Sequence, residues 1–239
     1  MPYPFAQAAP AADPRAMALV RTRFVRTVYQ WMAGGLVLTA ASALLVLKSP
    51  ALMGALVLNR GAFLVLILAE LGLVVALSAW IGRMSVRAAS WAFLAYSVLN
   101  GVTLSVVFLV YTGTSIALTL LVAAATFGAA ALYGTVTKRD LAGIGSFLFM
   151  GLVGLLVASV ANWFLRSPAL DWALSYIGVL VFTGLAAYDA QKIQRIGLTA
   201  AAHGEAALSR QAILGALALY LDFVNLFLFL LRIFGRSRD

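Results

Sequence analysis

The sequence contains no cysteine and a single histidine in 239 residues. A disulfide framework, a thiolate metal site and a cysteine nucleophile are therefore excluded. The lone histidine, His203, lies in a polar stretch with no acidic cluster beside it, which makes a poor metal site. Charge is scarce as well. Only 10% of residues are charged, against roughly 25% in a soluble globular domain. Proline is nearly missing from the body of the chain: four of the six, Pro2, Pro4, Pro10 and Pro14, stand near its beginning. What is there instead is apolar, with 64% hydrophobic residues and a mean hydropathy of +1.01. A soluble fold has nowhere to hide that much apolar surface, so the composition describes an all-α polytopic membrane protein. The formal charge is +9, yet the basic residues sit between and beside the apolar runs. That placement suits topology control in a lipid bilayer. Nucleic acid, which would require a continuous basic face, is not expected as a partner.

Residues 1–20 show no apolar period and read as a disordered N-terminal tail, suited to recognition by a partner. Residues 21–239 then form one transmembrane domain. The predicted spans are 28–47, 62–82, 88–111, 115–136, 141–165, 172–195 and 211–233. Each is near or above the ~20 residues that a ~30 Å hydrocarbon core demands. The first run follows Arg15, Arg21, Arg23 and Arg26, a signal-peptide pattern, but it is too long for a signal and more spans follow. The breaks are short and carry charge, Gly or Pro, so successive spans run antiparallel in one bundle. No internal repeat is visible, which disfavours an inverted-repeat transporter. With the N-terminus cytoplasmic, eleven of the 17 basic residues fall inside and six outside, the bias expected of a multi-pass protein. Arg232, Arg236 and Arg238 weaken that bias, and a last run that stopped short of crossing would strengthen it.

Three carboxylates interrupt the apolar runs: Glu70, Asp189 and Asp222. A carboxylate at membrane depth costs several kcal/mol in most estimates and usually faces a bundle interior or a wet cavity, about 3 kcal/mol on insertion scales. Asp222 stands near the middle of the last run, and Asn225, Phe229 and Arg232 share its helical stripe. A helix that is apolar on every other side is expected to be surrounded by other helices. Asp189 lies toward the inner end of the sixth span, beside Tyr188, Gln191 and Lys192. The plain reading of Asp189 is a residue reaching for the headgroups, and of Asp222 a hydrogen-bonded packing residue. The sharper reading is that the two meet and share a proton, since two touching carboxylates cannot both ionise cheaply in a low dielectric. Arg83, closing the second span on the same side, is the candidate counter-charge, although its position alone also suits a membrane anchor. Glu70 and Asn225 are candidates for a pore or ion path, and Asn100 and Thr103 could line the same interior. Gly34, Gly35, Gly151 and Gly154 are expected to permit close helix packing.

The segment FTGLAAYDAQKI (182–193), followed by LALYLDFVNLFLFLLRIFG (217–235), resembles the signature of the Bax-inhibitor-motif family of transmembrane proteins. The likeness extends over the membrane region from about residue 25, including Glu70 and SVLNGVTLS. It implies a seven-helix fold, with six helices packed around a central C-terminal helix, in a bacterial inner membrane. It further implies a pH-sensitive calcium leak, with Asp189 and Asp222 as a hydrogen-bonded pH-sensing dyad and Arg83 as its latch. The family often carries a run of basic residues at the latch, whereas WIGRMSVR holds Arg83 alone at the boundary. Calcium, a hard cation that takes oxygen ligands, would meet Asp189 and Asp222 as metal-binding groups, and no resident cofactor is expected.

Two other classes compete. One is a non-transporting membrane modulator of a protease or stress response, which would act through a membrane-protein partner. The other is an intramembrane aspartyl protease, in which two aspartates activate a water. Asp222 sits in LYLD without preceding glycines, and Pro168 precedes the first Asp-bearing span, so the enzyme reading is disfavoured and no catalytic residues are assigned.

Overall fold

The computed structural model describes residues 14–200 and 204–238. Seven helices there are long and apolar enough to cross a membrane. They are α1 (Pro14–Lys48), α2 (Arg60–Trp80), α3 (Val86–Leu104), α4 (Gly113–Val136), α5 (Ala142–Leu165), α6 (Pro168–Ala200) and α7 (Glu205–Phe234). The breaks fall where local chemistry ends a helix. Asn59 Oδ1 accepts from Gly61 N and Ala62 N to start α2, and Ser85 Oγ accepts from Ala88 N to start α3. Arg166, with φ 50°, ends α5 in the left-handed region. Helix α1 begins at Pro14, within the stretch expected to be tail, because proline is pre-set for the first helical turn and Phe24 and Val28 bury the helix further on. The rest of the expected tail, residues 1–13, and the sixth-loop residue His203 lie outside the described residues.

The centre is α7. Of its apolar window 61% is buried, against 6% for α2 and 17% for α5. It packs on α1, α3, α4 and α6. The last helix is central, as expected; among the helices around it, α2 leans chiefly on α3, and α5 on α6. These outer helices present Leu64, Val65 and Leu68 of α2, and Phe147, Met150 and Val157 of α5, on the outside of the bundle. In lipid such a surface is the stable one, since the backbone is satisfied within each helix.

Helix association in a bilayer has little hydrophobic driving force, so it relies on close packing and interhelical hydrogen bonds. Gly134 of α4 lies against the backbone of Ala187 in α6, where an added Cβ would collide. Gly101 of α3 lies as tightly against the backbone of Thr39 in α1. Among the glycines read from the sequence as packing points, Gly35 meets the Phe93 ring and Gly151 approaches Val181, but Gly34 and Gly154 face open space. A run of small residues does not reveal which side of its helix meets a neighbour.

The chain beyond α7 folds back on the turn between α3 and α4. Thr112 N donates to Arg236 O at 3.1 Å, and Arg238 N donates to Val110 O at 2.8 Å. The last helix therefore crosses the whole bundle and ends beside the α3–α4 connection.

Candidate functional site

A cavity of about 890 Å³ opens between α2 and α5 and reaches inward to α7. Its walls are mostly apolar. Its polar groups include Glu70 of α2, Asn100 of α3, Asp189 and Lys192 of α6, and Asp222 and Asn225 of α7. Helix α7 turns one stripe toward this space: Asp222, Asn225 and Phe229 line it. Arg232, at the end of the same stripe, lies elsewhere. It borders two smaller cavities at the other end of the bundle, where Asp171 Oδ1 accepts from Asn162 Nδ2 at 2.6 Å.

Asp189 and Asp222 are brought together, their side chains near enough to interact. A hydrogen bond between them would require a proton on one carboxyl, because two carboxylates offer only acceptors. Asp222 is 4% exposed, and its Oδ2 has no hydrogen-bond partner among the described residues. Asp189 is half-buried, and the charge of Lys192, one turn along α6, reaches it. Arg83 is not brought to the pair. It ends the short turn Ile81–Arg83, which packs on α7 with Ile81 buried and Arg83 exposed. Among the described residues no three His, Cys, Asp or Glu side chains converge as a metal site. The pair thus offers two carboxyls to a cation, with Glu70 on another wall of the cavity.

Glu70 belongs to a different arrangement. Asn100 Nδ2 donates to its Oε2 at 3.2 Å, and Thr103 Oγ1 donates to its Oε1 at 2.9 Å. Asn100 Oδ1 accepts from Tyr220 Oη at 2.9 Å, and Tyr220 Oη lies 2.6 Å from Thr39 Oγ1. One connected chain of hydrogen bonds thus joins α2, α3, α7 and α1. Tyr220 is fully buried and meets the rings of Phe93 and Tyr96 edge-on at 6.0 and 5.5 Å. Asn225 uses its amide locally, donating to Leu221 O at 2.8 Å.

Sequence reasoning passed over Thr39 and Tyr220, and named Gln191 without giving it a role. Tyr220 stands two residues before Asp222, and a phenol that deep in lipid needs a partner; that was the available signal. Gln191 is buried near the α6 end, where its Oε1 accepts from Leu141 N at 2.9 Å and its Nε2 donates to Arg139 O at 2.8 Å. It clasps the α4–α5 loop against the helix that carries Asp189. Arg195 strengthens the clasp, with Nη1 2.9 Å from Asp140 Oδ1. The Asp140 carboxyl, outside the spans, is held below its ordinary range by the Ala142 amide first and by Arg195 second. Gly145 of α5 leaves room for the Tyr188 ring, which seats the α6 segment just before Asp189.

Seven membrane-crossing helices, a buried C-terminal helix and a carboxyl pair at the floor of a side-opening cavity define a polytopic helical membrane protein built around embedded acids. Residues 21–239 match the family described as "Inhibitor of apoptosis-promoting Bax1", and the chain belongs to that family. The resemblance read from the two Asp-bearing motifs is thereby borne out. The chain is 49% identical over 230 residues to the Inner membrane protein YbhL of Escherichia coli (strain K12), covering 94% of this chain and 98% of that protein. It is 41% identical over 217 residues to the protein RP147 of Rickettsia prowazekii, covering 91% of each. A protein of Borreliella burgdorferi is 39% identical over 221 residues, covering 92% of this chain and 95% of the relative.

Proposed function

We propose that the protein is a pH-sensitive cation leak of a bacterial inner membrane, with its N-terminus cytoplasmic, and that the Asp189–Asp222 pair is its sensor. The observation that carries this reading is the pair itself: two adjoining carboxyls, one of them buried with an oxygen left without a partner, both on the lining of a cavity. While one proton is shared, the two side chains attract and α6 stays closed on α7. Losing that proton sets two negative charges side by side in a low dielectric, which favours a second packing or an incoming cation. Calcium is the cation in this reading. It takes oxygen ligands, and the pair supplies them on a path that also passes Glu70 and Asn225. Arg83, exposed in the present packing, would serve as a latch only in the other one. The relative's name, an inner membrane protein, supports the location, and the eleven-to-six division of basic residues supports the orientation. No catalytic step is assigned to the pair.

The test is calcium entry into proteoliposomes, measured against pH for the unaltered protein, Asp189→Asn and Asp222→Asn. Both variants are expected to lose the pH response. An unchanged pH profile in both would reject the pair as sensor. Absence of flux from the unaltered protein would leave a modulator acting through a membrane-protein partner.

A further inference from the structure

The large cavity is poorly suited to a small ion as its sole occupant. At about 890 Å³ it lies toward the upper end of the roughly 300–1,000 Å³ typical of small-molecule sites. Its entrance is lateral. Leu71 of α2 is 58% exposed, and Phe149 and Leu156 of α5 are 62% and 60% exposed. Glu70 and Leu156 sit near the middle of their helices, so this entrance faces the hydrocarbon rather than the headgroups. A hydrated cation would leave the apolar walls uncovered.

The floor is chemically the opposite of the walls. Asp222 is on the cavity lining, and its Oδ2 is buried and unpartnered. Asp189 stands beside it, and both oxygens of Glu70 are already occupied by Asn100 and Thr103. Lys192 is the one basic residue on the lining. An acyl tail with an anionic head would satisfy the walls and be repelled at the floor, and a neutral head could give that oxygen only an uncharged, weaker hydrogen bond. A single ammonium on an apolar body satisfies both, because a charged N–H donates strongly to a carboxylate oxygen.

We propose that the cavity binds a lipophilic amine that enters from the bilayer, with its ammonium on the Asp222–Asp189 pair and its apolar body between α2 and α5. The site shares the carboxyl pair with the leak reading and needs no ion to pass. The test uses the full chain in nanodiscs and radiolabelled dodecylamine, with dodecanol as the neutral counterpart and empty nanodiscs as the partition control. Saturable binding above the control is expected, with the amine favoured over the alcohol by about tenfold or more, the size of one charged hydrogen bond. Asp222→Asn should abolish the preference for the amine. Leu156→Trp, on the exposed rim, should narrow the entrance and lower binding of both probes. Should Asp222→Asn fail to fold, the rim variant decides. Uptake equal to that of empty nanodiscs, equal binding of amine and alcohol, or binding unchanged in the rim variant would overturn the proposal. Calcium flux measured on the same preparations separates the two readings. Amine binding without flux sinks the leak alone, and flux without amine binding sinks the amine site alone.

Discussion

Glu70 and Asp222 are both carboxyl residues set in apolar helices, and both line the same cavity. They are held in opposite ways. Both oxygens of Glu70 accept from side chains on α3, and the chain of bonds continues through Asn100 and Tyr220 to Thr39. Asp222 faces another acid and keeps one buried oxygen without a partner. A satisfied acid at membrane depth ties helices together. One left short of partners is a strain on the fold and a handle for protons or cations. Glu70 is half-buried and Asp222 buried, and their partners separate them further.

That contrast can be broken most forcefully at Asn100. Asn100→Ala removes bonds to Glu70 and Tyr220 at once and leaves Glu70 to Thr103 and Tyr220 to Thr39. With interhelical bonds in membranes worth about 0.6–1.7 kcal/mol each, a loss of roughly 1–3 kcal/mol is expected. Reversible unfolding in mixed micelles measures it, and a loss under 1 kcal/mol would deny the chain of bonds its structural role. Asp222→Asn should behave otherwise, with stability shifted by less than about 1 kcal/mol in either direction, since an amide replaces a carboxyl that is already short of partners. A large loss in the same assay would show Asp222 to be a packing residue like Glu70. The smallest effect is expected far from the cavity. The Asp140 carboxyl is held below its usual range, so its contribution is present above the unfolded value and fades as pH falls through the folded one. Asp140→Asn should therefore lower the thermal midpoint slightly at neutral pH and not at all in strong acid. Being fully exposed, Asp140 should matter less than either embedded acid. A midpoint change as large as that of Asn100→Ala would mean that the α4–α5 clasp, not the Glu70 chain, secures the bundle.

The embedded acids were legible in the chain as written, but their partners were not. Asp189 and Asp222 could be paired because they occupy successive spans that run in opposite directions, which puts both toward the same end. Arg83 was matched to them by depth and by the family resemblance, and neither fixes the side of a helix from which a residue projects; the side chain is exposed. Thr39 and Tyr220 looked like ordinary residues in apolar runs until four helices converged on them. Gly34 and Gly35 are adjacent and read alike, yet Gly35 meets Phe93 while Gly34 meets nothing. One position along a helix turns a residue by about 100°, and contact follows that turn.

The sequence by itself determined seven crossings and where the chain breaks between them. Span length answers to the thickness of the hydrocarbon, and the stops are local matters of charge, proline and capping side chains. Only the tertiary structure decided which acid is satisfied and which is left wanting, and that α2 and α5 stand apart with a cavity between them. Those outcomes depend on how closely and at what rotation helices distant in the chain approach, as where Gly134 admits the backbone of Ala187, and no local pattern encodes that distance.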